Sequence, residues 1–115
     1  MAIIEEVIDD VLVEIINLDR ATIREAEDLK DKIVPKINAG YTKIIVDLTA
    51  VEFIDSTFLG VIVGTLKKVV KQGGDLKLVG FKPPVRAMFE LTRLFRVFET
   101  FTELQEAIRS FQNSK

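Results

Sequence analysis

Neither cysteine nor histidine occurs anywhere in this 115-residue chain. Their absence excludes disulfides, thiol nucleophiles, zinc sites of the usual Cys/His type and a histidine base for a Ser-His-Asp relay. A basic excess is missing too. Lysine and arginine total 16 against 18 acidic residues, for a net charge of -2, which argues against a nucleic-acid partner. The longest apolar stretch, Phe58 to Leu66, is about half the roughly 20 residues that a membrane span requires. The opening "MAIIEEVIDD" carries acids where a signal peptide needs basic residues ahead of a long apolar core. These absences read together as a cytoplasmic chain with no membrane segment.

What is present suits a folded domain. Hydrophobic residues make up 48% and charged residues 30%, enough for a core and for solubility, and the length fits one domain over residues 1–115. Ile3 to Ile8 and Val11 to Ile16 are short β-rich runs split by Asp9-Asp10, a hairpin pattern. Thr22 stands three residues before Glu25, the capping-box spacing, and Ile23, Ala26, Leu29, Ile33 and Ile37 follow on one helical face. Pro35 should kink the last turn, and Gly40 suits the C-terminal cap.

"KIIVDL" (43–48) is apolar on both sides, as a buried central strand should be. A helix follows from about Thr57 to Gln72, ended by Gly73-Gly74, then the strand "LKLVGF" (76–81). Pro83-Pro84 opens a third helix. "VFETF" (97–101) reads as a last strand, and Thr102 to Phe111 as a last helix with Thr102 and Gln105 at capping-box spacing. The order β-β-α-β-α-β-α-β-α predicts an α/β domain: a mostly parallel sheet with helices packed on it and an antiparallel N-terminal hairpin.

Several chemistries can be weighed on residues alone. A receiver-type aspartate acceptor would use Asp9-Asp10, Asp47 and Lys82-Pro83, but a strand pattern follows Asp9-Asp10 where a helix is needed, and Asp47 lies inside its strand. "KQGGDLKLVG" has no phosphate-loop spacing, and its glycines read as a helix end. Asp47, Glu52 and Asp55 form an acidic neighbourhood without a histidine or a second cluster, so catalysis is a poor reading. Lys67, Lys68 and Lys71 read as a solvated helix face. Gly60 and Gly64 suit close approach of the helix to the sheet or to a partner.

That leaves "FIDSTFLG" (53–60). Asp55, Ser56 and Thr57 at a helix start suit an N-cap. The same free N–H groups and partial positive charge also suit a phosphate on Ser56. Such a phosphate would add nearly two negative charges beside Asp55, and beside Asp19 or Glu52 if the loop before the first helix lies alongside.

On "FIDSTFLG", "IIVDLTAVEFID", "INLD" and "GGDLKLVGFKPPVRAMFELTRLFRVF", the chain resembles the STAS family, and within it the bacterial anti-sigma factor antagonists. The resemblance implies a binding module with no enzyme activity, cofactor or metal. It implies that Ser56 is phosphorylated by an anti-sigma factor that is also a serine kinase of the GHKL type. The unphosphorylated form would bind that kinase and release the sigma factor, and a serine phosphatase would restore it. Asp55 and Thr57 would orient the loop, Asp19 would line the same surface, and Phe58, Gly60 and Gly64 would add contact area. Departures from the family pattern are Thr57 for a serine, and Phe58, Ile16 and Arg93 for glycines. Phe58 is either a binding anchor or a core residue. The alternative is a STAS scaffold or lipid-transport subunit that never cycles through phosphate, with Ser56 only a cap.

Overall fold

The computed structural model describes residues 2–113. Its main sheet has five strands in the order β1-β2-β4-β6-β7: β1 (Ile3–Ile8), β2 (Val11–Ile16), β4 (Lys43–Asp47), β6 (Asp75–Val79) and β7 (Thr100–Phe101). β1 pairs antiparallel with β2, and the remaining neighbours are parallel. Asp9 makes the two-residue turn of the hairpin by taking a positive φ of 57°, a conformation that aspartate tolerates better than most residues. The expected architecture is therefore present.

Two strands were not expected. β3 (Arg20–Ala21) and β5 (Phe53–Ile54) form a separate parallel pair outside the main sheet. They are too short to show any period in the sequence, and they tie the segment before the first helix to the segment before the second.

Among the described residues the four α-helices are α1 (Ile23–Asn38), α2 (Ser56–Lys71), α3 (Pro83–Leu91) and α4 (Leu104–Gln112). α1 starts with the expected capping box, in which Glu25 Oε1 accepts from the Thr22 N–H at 2.9 Å. It runs through Pro35 and ends with Gly40 at φ 106°, where the Gly40 and Tyr41 N–H groups bond back to the carbonyls of Ile37 and Lys36.

Side chains alternate across the sheet. Leu12, Ile44, Val46, Leu76 and Leu78 meet α1, α2 and α3 in the larger core, whereas Val11, Val13, Ile45 and Val79 pack with Ala107, Ile108 and Phe111 of α4. Among the described residues, Lys77 is the buried charged residue on the α4 side. Its stem is buried, its ammonium lies 4.1 Å from the Phe111 ring centre, and it donates to Ser110 Oγ at 2.7 Å and pairs with Glu99 at 3.2 Å. These partners offset the cost of burying an ammonium.

On the opposite face, Glu14 is fully buried and stands directly across from Glu5. Neither Glu14 oxygen has a hydrogen-bond partner among the described residues. Burial, followed by the adjacent Glu5 carboxyl, pushes the Glu14 carboxyl up to about 9, while Lys32 and Lys36 pull the other way. Glu14 is thus neutral at physiological pH.

The C-terminal part departs from the expected boundaries. The last strand is Thr100–Phe101 rather than 97–101, and a short 3-10 turn, Leu94–Arg96, precedes it. Phe98 turns into the core instead, 6.0 Å from Phe89 in a group of rings that includes Phe81 and Phe95. The N-cap of α4 is Glu103, with no side-chain cap bond, so the expected Thr102–Gln105 box does not form. Arg93 enters the 3-10 turn with φ 59°.

Candidate functional site

The second helix begins one residue earlier than its pattern suggested, and Asp55, not Ser56, is its N-cap. Asp55 Oδ1 accepts from the Phe58 N–H at 2.9 Å, and its Oδ2 accepts from the Ile23 N–H at 3.0 Å. One carboxylate therefore caps the starts of both α1 and α2. Backbone bonds hold it in place: the Asp55 N–H donates to the Ala21 carbonyl at 3.1 Å, and β3 pairs with β5 just before it.

Ser56 is the first residue of α2. It is exposed, and its hydroxyl makes no side-chain hydrogen bond among the described residues. Neither its own N–H nor that of Thr57 has a protein acceptor among them, as expected for a first turn whose cap serves only Phe58. An exposed hydroxyl thus stands beside two open N–H donors at the positive end of a 16-residue helix. The reading of Ser56 as a structural cap fails, because Asp55 fills that role.

The loop before α1 does lie alongside. The Asp19 carbonyl accepts from the N–H groups of Glu52 and Phe53 at 2.7 and 3.0 Å, and Asp19 is exposed on that surface. Glu52 pairs with Lys82 at 3.6 Å. Thr57 is exposed as well.

Phe58 is a correction. Its ring is fully buried among the larger core's side chains and offers nothing to a partner. It is the third residue of the helix, on the same inward face as Leu59, Ile62 and Leu66. The exposed aromatic is Phe53, at 39% relative exposure, with the Arg20 guanidinium 4.3 Å above its ring centre. Sequence reasoning missed this pair, because Arg20 and Phe53 become neighbours only through the β3–β5 register.

For Gly60 and Gly64, one of the two expected roles, close approach of the helix to the sheet, is not met. Both are exposed, and a Cβ built on either meets nothing within 4 Å, so neither lets α2 approach the sheet. Each costs the helix about 1 kcal/mol relative to alanine without a packing return. They line an open groove of about 270 Å³ between α1 and α2.

The STAS domain model matches residues 6–107. The chain belongs to the STAS family. A protein of Thermotoga maritima, provisionally named an anti-sigma factor antagonist, is 34% identical over 108 residues, covering 90% of this chain and 95% of that one. The anti-sigma-B factor antagonist of Bacillus subtilis is 40% identical over 72 residues, 63% of this chain and 65% of that one. A crystal structure of the Thermotoga maritima antagonist superposes with a TM-score of 0.89 at 32% identity, covering 96% of this chain and 95% of that one. Among the described residues no helix of this STAS chain is long and apolar enough to cross a membrane.

Proposed function

We propose that this STAS chain is an anti-sigma factor antagonist switched by phosphorylation of Ser56. In its unphosphorylated form it binds an anti-sigma factor that is also a serine kinase of the GHKL type, and the sigma factor is released. Phosphorylation by that kinase ends the binding, and a serine phosphatase restores it. The chain itself acts by binding, without catalysis. The observation that carries this reading is the idle, exposed hydroxyl of Ser56 beside a cap that belongs to Asp55.

The physical logic is local. A phosphoserine brings close to two negative charges and three acceptor oxygens, and the open N–H groups of Ser56 and Thr57 can receive part of that charge. The Asp55 carboxylate is already committed to Phe58 and Ile23, so it opposes the phosphate without having to move. The exposed Asp19 and Glu52 add to the acidity of this surface. A partner that docks on the neutral hydroxyl then meets bulk and like charge, which is repulsion added to lost contact. Asp19, Asp55, Thr57, Gly60 and Gly64 surround the acceptor as the docking surface, whereas Phe58 supports it from below.

The test is incubation with purified GHKL-type serine kinases of the source genome and ATP, read by intact mass. A gain of about 80 Da, one phosphoryl group, that disappears in Ser56→Ala supports the reading. No gain with any of these kinases, or a gain that persists in Ser56→Ala, sinks it.

A further inference from the structure

We propose that the groove between α1 and α2 seats an acidic amphipathic helix of the anti-sigma factor, a proposal that rests on the binding function just argued and specifies its partner's chemistry. Val34 and Val61 give the groove apolar walls, Gly60 and Gly64 its open floor, and Lys30 and Lys68 its charged rim.

The glycines carry the geometric half. Helical backbone at these positions needs no glycine, since neither has a positive φ, and nothing in the folded chain comes within 4 Å of the missing Cβ. Alanine would fit both sites and strengthen the helix. What the glycines provide is a depression four residues long, one helical turn, in which another backbone or a small side chain can approach α2 closely. A helix laid into the channel between two helices meets such a depression with its ridge of side chains.

Charge carries the other half. All of the charge on α2 is positive: Lys67, Lys68 and Lys71, with no acidic residue in 16, in a chain whose net charge is -2. Lys30 and Lys68 form no ion pair among the described residues. A basic rim over an apolar floor selects an occupant that is apolar on one face and acidic beside it.

The same arrangement explains why a phosphate would release the partner. Thr57, the neighbour of Ser56, lines the end of the groove. A phosphate there places negative charge next to an acidic helix, so complementarity at the lysines and repulsion at the serine act on one occupant.

The experiment uses the full chain and the purified GHKL-type serine kinases of the source genome as probes, with binding measured by calorimetry at two salt concentrations and folding by thermal melts. Gly64→Leu should weaken kinase binding by about tenfold or more while the melting temperature rises or holds. Lys30→Glu and Lys68→Glu should each weaken it by about three- to tenfold and reduce its salt dependence. Gly64→Ala should melt higher and bind more weakly than the unmodified chain, which separates the groove from helix stability. If these variants bind normally while Ser56→Asp does not bind, the groove proposal falls and the phosphorylation reading stands. If the unmodified chain binds none of the kinases, both fall. Saturable oleate binding lost in the same variants, with kinase binding unchanged, overturns a protein helix as the occupant.

Discussion

Asp55 accepts a hydrogen bond from the backbone N–H of Ile23, 32 residues earlier in the chain, at 3.0 Å. Together with its bond to the Phe58 N–H, this makes one carboxylate the shared cap of α1 and α2. Asp55→Ala should therefore destabilise the fold by about 1–2 kcal/mol, more than an ordinary single cap on one helix. Asp55→Asn, which keeps one acceptor oxygen, should lose less. Urea unfolding gives the size, and amide exchange gives the mechanism: both the Ile23 and Phe58 amides should exchange faster. An unchanged Ile23 amide would show that the reach to α1 stabilises nothing.

Glu14 gives a pH dependence of definite sign. Its carboxyl is raised to about 9 in the folded chain, above the ordinary value near 4.5, so the folded state holds a proton that the unfolded state releases between those values. The stabilisation is complete below pH 4.5 and is lost as the pH rises toward 9, at up to about 1.4 kcal/mol per pH unit. Glu14→Gln keeps the shape and removes the titration. Its urea midpoint should change less than that of the unmodified chain between pH 6 and 9, and equal slopes for the two proteins would refute the assignment.

Phe58 and Phe53 should behave oppositely on truncation. Phe58→Ala empties a fully buried ring site and should cost about 3–5 kcal/mol. Phe53→Ala removes an exposed ring stacked under Arg20 and should cost about 1 kcal/mol or less. Chemical denaturation of the two variants decides it; comparable losses would contradict the burial pattern.

Arg93 holds a left-handed backbone with φ 59°, a conformation that glycine adopts at no steric cost. Arg93→Gly should raise stability by about 0.5–1 kcal/mol, relief of the steric cost being partly cancelled by a more flexible unfolded chain. Arg93→Val should lower stability. A fall in melting temperature for the glycine variant would place the constraint elsewhere in the turn.

The sequence made the main sheet and the four helices legible because their apolar residues repeat with long, clean periods. Ile23 to Ile37 on α1 and the double-sided "KIIVD" of β4 each span enough residues for the period to show. β3 and β5 have two residues apiece and no period, so the pair that brings Asp19 beside Glu52 was visible only as a condition. The sequence shows Ser56 and Asp55 as a pair but not their division of labour, because a side chain that caps a helix 32 residues away leaves no spacing signal. Phe58 reads either way in the sequence for a related reason: the first turn of a helix has faces pointing both in and out, and the helix starts one residue before its pattern does. "VFETF" misled because β-rich composition also describes a loop whose Phe98 plugs the core.

The sheet also works as a partition. α4 stands on a small core of its own on the face away from α1 and α2, latched by the Lys77–Ser110 bond at 2.7 Å, while Ser56 and the groove lie on the other side. Gln112 and Asn113, exposed at the end of α4, are thus a natural tether for immobilising the molecule or hanging a fluorophore on it. An instrument attached there would leave the opposite face free to meet its visitor.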